Sequence, residues 1–320
     1  MNEHITEDEI EKLVMDVYNG ISNHSDIFGE GPDDQFMLAA IHGVTKAFRL
    51  PKPVKMLHLR EVFDQELTMW SSSPGLPWTQ LGYETRGQIR YAPEAIKWIR
   101  RFWHRIKCLD DLVPDETTLA FGEAVFALPL IKAYSKYDCP IVYCLKCQTE
   151  TVHGNFFASI VYKNCDTPIP EWLINDAFGV LSINLNLAKY QNYGTTQEER
   201  MENMWFFIQD NFIKTSLNLS KRIRFRPKAS IVNGSYFTTL ISSIVNCFLL
   251  KYVSYRTINS LMSIKVYGSE SICGFDHPIS PAQIQEVLEP LGFPIDTTKT
   301  MVSSRLCDLS FHGHKLRCTM

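Results

Sequence analysis

The 320-residue sequence has no surplus of either charge: 32 Lys and Arg stand against 35 Asp and Glu, a net charge of −3. That balance excludes a chain that is basic throughout, so any grip on a polyanion must come from a local patch. A disulfide framework is also missing. Nine cysteines, an odd number scattered over a long chain, point to reduced thiols. Cys144-Leu145-Lys146-Cys147, with Cys139 before it and His153 after it, lacks the second clean pair that structural zinc needs. No apolar run of membrane length is free of polar residues. The nearest is "YFTTLISSIVNCFLLKYV", Tyr236 to Val253, whose Thr238, Thr239, Ser242, Ser243 and Asn246 mark it as a buried core helix. The first residues, "MNEHITEDEIEKL", are polar and acidic and carry no signal-peptide h-region. Internal repeats, low-complexity tracts and Gly/Ser linkers are absent as well. A soluble intracellular protein of one or two domains is the expectation.

What is present is apolar material for a sizeable core, 45% of the residues. Residues 7–20 and 34–48 have helical spacing. "MWSSSPGLPW", Met69 to Trp78, reads as a rigid loop, because two prolines and a glycine continue neither regular element. Helical runs follow at Ala92 to Lys107 and in "TTLAFGEAVFALPLIKAYSKY", the latter interrupted by Pro129. From about residue 155 the order becomes strand ("NFFASIVY"), helix ("PEWLINDAFGVL"), helix ("QEERMENMWFFIQDNFI") and strand ("RIRFRPK"). The helix from Tyr236 comes next, then a hairpin, a helix ("SPAQIQEVLEPLG") and two final strands. This order predicts an α+β layer: an antiparallel sheet with helices on one face.

The hairpin is "SLMSIKVYGSESICGF", Ser260 to Phe275, with its tip at Gly268-Ser269-Glu270-Ser271. Three other stretches stand in order around it: Ser72-Ser73-Pro74-Gly75-Leu76-Pro77-Trp78, "IPEWLINDAF" from Ile169, and "GSYFTTLISSIVN" from Gly234. "PIDTTKTMVSSRL" and "LSFHGH" follow. Together these resemble the RNA-dependent RNA polymerases of partitiviruses and related double-stranded RNA viruses, over roughly residues 70 to 315. The resemblance implies a right-hand polymerase fold. Residues 1–154 would form an N-terminal, fingers-like region, shortened where only Cys108 to Val113 bridges two helices. Residues 155–320 would form the palm, with the thumb largely missing. It also implies RNA template and nucleoside triphosphates as partners, Mg²⁺ or Mn²⁺ as cofactor, no membrane, no obligate protein partner, and a cytoplasmic or virion-associated location.

At the hairpin tip the family carries Gly-Asp-Asp, and on the first palm strand Asp-x-Ser-x-Phe-Asp. Laid onto these patterns, Ser269 and Glu270 replace the hairpin aspartates. Val161 replaces the first strand acid, and Asp166 keeps the second, assigned to the ribose. A valine has no lone pair, a serine hydroxyl is a weak Mg²⁺ ligand, and Glu270 is left as the one plausible direct carboxylate. Losing one such ligand commonly costs several kcal/mol of transition-state stabilisation, roughly three decades in rate. The loop before Gly234, Ser230-Ile231-Val232-Asn233, has lost the family's first glycine, proline and serine. Gly234, Ser235, Thr238 and Asn246 keep their places as nucleotide- and template-binding positions. Lys299 matches a lysine that acts as general acid to pyrophosphate. Arg222, Arg224 and Arg226 fall on one side of a strand ahead of the template loop, where RNA phosphate would pass.

Read without the family, Val161 is a core strand residue and Asp166 a turn or cap acid. Glu270 is then a solvated turn residue, while Asp296, Lys299 and the three arginines are surface charges. The expectation is a drifted, catalytically inactive polymerase, such as a viral gene captured by a host genome. Its rivals are an active enzyme using Glu270 and Asp166 with Mn²⁺ or Mg²⁺, and a non-catalytic RNA-binding or interference protein.

Overall fold

The computed structural model of the chain describes residues 35–143, 152–163, 169–214, 234–257 and 260–316, with the backbone of two short strands between 214 and 234. The helices are α1 (Gln35–Ala47), α2 (Leu59–Asp64), α3 (Arg86–Ile89), α4 (Pro93–Ile106) and α5 (Glu116–Tyr134). After these come α6 (Glu171–Ser182), α7 (Glu198–Ile213), α8 (Thr238–Arg256) and α9 (Pro281–Leu288). The strands are β1 (Val54–Met56), β2 (Phe156–Ile160), β3 (Leu185–Tyr190), β4 (Leu217–Asn218) and β5 (Arg224–Phe225). The last five are β6 (Leu261–Tyr267), β7 (Glu270–Phe275), β8 (Met301–Ser303), β9 (Ser310–Phe311) and β10 (His314–Lys315).

A four-stranded antiparallel sheet in the order β6-β7-β2-β8 is the centre of the molecule. Strand alternation sorts its side chains onto two faces. Ala158, Ile160, Val266, Cys273 and Phe275 enter the main core, where α8 packs on β6 and β7. Phe157 and Ile272 point the other way, into a smaller cluster with Leu309, Phe311 and Leu316 around the β9–β10 hairpin. The expected α+β layer is therefore present, and the face away from α8 is covered in part by this hairpin. Helix α8 is buried along most of its length, as its apolar composition requires. Among the described residues no helix is long and apolar enough to cross a membrane.

Three local expectations are corrected. Pro129 does not interrupt α5, which is continuous through it. A proline leaves the carbonyl four residues earlier without its helical donor. Here that carbonyl, Val125 O, accepts from Leu57 N at 3.0 Å, so the helix survives because the chain after β1 supplies the missing bond. Glu270 and Ser271 belong to β7 rather than to the turn, which shortens to Gly268-Ser269 with Gly268 at φ +59°. Strands β1 and β3, a parallel pair, fall where no strand was expected. Of the expected strand "RIRFRPK" only β5 is described, and residues 7–20 and the Cys144/Cys147 pair lie outside the described residues.

The "SSSPGLPW" loop docks on the start of α5. Pro74 O accepts from the Thr117 hydroxyl at 2.6 Å, and Trp78 donates to Asp115 at 2.7 Å. Asp115 also caps the helix by accepting from Thr118 N at 2.8 Å.

Candidate functional site

Strand pairing brings the hairpin and the first strand together. Ile160 faces Ser271 across the β2–β7 ladder, so the next residue, Val161, comes beside Glu270. Ile160 packs into the main core and the Tyr162 hydroxyl reaches α8, so alternation turns Val161 to the opposite face. Glu270 lies on that face too. Its carboxylate accepts from His312 N at 2.7 Å and sits 3.5 Å from His312 Nδ1. The His312 ring meets Tyr267 edge-on at 4.8 Å. The turn after β9 thus closes over Glu270, whose side chain remains about half exposed.

Segment 296–300 adjoins from the other side. Asp296 N donates to Val161 O at 2.7 Å, and Val161 N donates to the Thr300 hydroxyl at 3.1 Å. Lys299 Nζ is 3.4 Å from Asp296 and well exposed. The Thr298 hydroxyl bond to the Asp296 carboxylate, with further bonds from Thr298 N and from Lys299, holds that acid below its ordinary range. Val161 is therefore flanked by Glu270 of β7 on one side and by the segment carrying Asp296 and Lys299 on the other, from three separate stretches of sequence.

Helix α8 holds the turn from behind. Ser243 Oγ accepts from Gly268 N at 2.8 Å. Asn246 Nδ2 donates to Gly268 O and Glu270 O, both at 3.1 Å, and Asn246 Oδ1 accepts from Tyr162 OH at 3.0 Å. Burial pushes the Tyr162 hydroxyl far above the ordinary tyrosine range, so it stays a donor. Asn246, expected to grip template or nucleotide, is 2% exposed and has both ends of its amide engaged by the fold.

The N-terminal end of α8 carries the other expected positions. Gly234 has φ +93°, a conformation glycine adopts without strain. Ser235 Oγ accepts from Phe237 N at 3.0 Å, and Thr238 opens the helix ~12 Å along its axis from Asn246. This loop is fixed by a residue that sequence reasoning missed. Glu123, buried in α5, accepts from Tyr236 N at 3.0 Å and bonds the Ser235 hydroxyl. Burial raises its carboxyl to about 7, against these bonds and the nearby Arg86. The signal was a lone acid inside "LAFGEAVFAL".

A pair of hard divalent ions needs several carboxylate or carbonyl oxygens converging on one point. Here the residue after β2, the Gly268-Ser269 turn and β7 contribute a valine, a serine hydroxyl and a carboxylate already bonded to His312. Among the described residues no group of three His, Cys, Asp or Glu is placed to hold a metal ion. The described donor set does not fit a two-metal centre. Asp166, Arg222 and Arg226 lie outside the described residues, and of Arg224 only the backbone, in β5, is described. The model of a family described as viral RNA-dependent RNA polymerase matches residues 153–320, more than half of the chain. No curated protein matches it.

Proposed function

This chain belongs to the viral RNA-dependent RNA polymerases, and from that premise we propose that it keeps the polymerase palm as a scaffold but no longer catalyses nucleotidyl transfer. The central sheet is read as the palm of a right-hand fold, with residues 1–154 as the fingers-like region. The order of the four motifs supports a partitivirus-like origin, and a cytoplasmic or virion-associated location goes with it. The observation that carries the proposal is the β2–β7 register, which puts Val161 beside Glu270 on one face. By the motif resemblance these are the positions a polymerase needs for metal, and Val161 and Glu270 offer one carboxylate between them.

Primer extension on a short RNA template, with Mg²⁺ or Mn²⁺, tests the reading directly. No template-dependent incorporation is expected. Incorporation that disappears in Glu270→Ala would overturn it and restore the active enzyme built on Glu270 and Asp166. A thermal-melt companion uses the variant Val161→Asp with Ser269→Asp. Three acids then crowd one face, so its Tm without metal falls. Mn²⁺ at a hundred times its Kd should stabilise the variant by about 2.7 kcal/mol and leave the native chain unmoved. A rise of the native Tm that Glu270→Ala abolishes would count against the proposal.

A further inference from the structure

Away from the central sheet, four cations and three rings meet where α2, α4, β3 and α7 converge. His58 caps α2, and its ring stacks on Tyr193 at 4.3 Å with 20° between the planes. Tyr190, at the end of β3, meets His58 edge-on at 5.0 Å. The Tyr190 hydroxyl accepts from Lys107 Nζ at 3.2 Å. Lys107 closes α4, and its carbonyl accepts from Asn203 of α7 at 3.3 Å, which ties the two helices together. Burial, then the neighbouring Arg200 guanidinium, push the Lys107 ammonium down to about 8. Burial first, then the charges of Lys107, Arg100 and Arg60, hold the His58 imidazole below its ordinary range; Glu61 opposes them in part.

Arg60, Arg100, Lys107 and Arg200 have no carboxylate within ion-pair distance among the described residues. The Glu61 carboxylate instead accepts from His58 N and from Asn192. Four cations around one carboxylate, none of them ion-paired to it, leave a local excess of positive charge that favours a bound polyanion. The His58–Tyr193 stack adds what an acidic peptide would not require: a flat aromatic column ending in a ring 45% exposed, on which an unpaired base can continue the stack.

We propose that this patch binds single-stranded RNA, at a surface separate from the face that carries Val161 and Glu270. Backbone phosphates lie against Arg60, Arg100, Lys107 and Arg200, while one base stacks on Tyr193. The site needs no metal and no catalysis, so it stands or falls independently of the polymerase reading.

Fluorescence anisotropy of the full chain with an oligouridylate of about a dozen nucleotides, over a range of salt, tests it. The native chain should bind with a marked salt dependence. Arg60→Glu with Arg100→Glu should weaken binding at least tenfold and flatten the plot of log K against log salt by about 1.4, roughly 0.7 per lost phosphate contact. Tyr193→Ala should weaken binding about fivefold or more with the slope unchanged. If charge reversal unfolds the chain by circular dichroism, Arg60→Gln with Arg100→Gln carries the same test. The proposal is overturned if the native chain does not bind the RNA. Variants that bind as tightly as the native chain, placing the RNA elsewhere, overturn it too. So does polyglutamate bound as tightly as RNA with no dependence on Tyr193.

Discussion

Glu123 sits among apolar neighbours in α5 and reaches Tyr236 N and Ser235 across the core, so one carboxyl group fixes the loop ahead of α8. Burial favours its protonated form in the folded chain, with a pKa of about 7 against 4.5 when free. The corresponding stability is fully present below pH 4.5 and is lost as the pH rises through about 7, some 3 kcal/mol at most. In Glu123→Gln the amide oxygen still accepts from Tyr236 N, and nothing titrates. Urea midpoints measured from pH 4.5 to 7.5 should therefore fall more steeply for the native chain than for the variant. Parallel curves would show that Glu123 is ionised throughout. At this scale the sequence pattern draws attention to Val161, Ser269 and Glu270, and the β2–β7 ladder brings together the strands that lead to them. It does not draw attention to Glu123 and Tyr162, because their work is done by partners more than eighty residues away.

Among elements, the contact between α8 and the Gly268-Ser269 turn decides how the sheet presents its edge. Ser243 and Asn246 stand three residues apart, so both face the turn from one side of the helix. The sequence showed them as polar interruptions of an apolar run, which was enough to exclude a membrane span but not to say what they bind. Asn246→Ala takes the acceptor from Tyr162 OH and the side-chain donor from the Gly268 and Glu270 carbonyls in a buried site. A loss of about 2–4 kcal/mol in urea unfolding is expected, several times the loss for a surface Asn. Because Ser243 supports the same turn, adding Ser243→Ala should cost less than it does in the native chain. Full additivity would mean that the two side chains support the turn independently. The missed strands have a similar lesson. "INLNLAKY" alternates Ile183, Leu185 and Leu187, but a lone alternating run between two helices needs a partner, and β1 is only three residues long. Pro129 was read by its local rule, which fails because Leu57, distant in sequence, supplies the donor.

Over the whole molecule, one main core of the described residues spans the expected division near residue 154. The main core runs from Met37 to Ile295 and takes in residues of α1, α5, β2 and α8 together. Helix α1 lies directly on α8, where Val44 is 1% exposed and Gly43 faces the Lys251 and Tyr255 side chains. Sequence periodicity identified both helices, yet nothing in it says that two segments some two hundred residues apart are neighbours. A shared core has a mechanical consequence: damage at α1 should be felt by the sheet that bears Val161 and Glu270. Val44→Ala removes two methyl groups from a closed site and should cost about 2 kcal/mol. If the chain unfolds as one unit, amide exchange in β2 and β7 accelerates by the same factor as exchange in α5, about thirtyfold for that loss. Hydrogen-exchange mass spectrometry on the native and variant chains reads all three elements at once. Faster exchange confined to α1 and its immediate neighbours would divide the molecule into two units, and the sheet would then owe its stability to the C-terminal half alone.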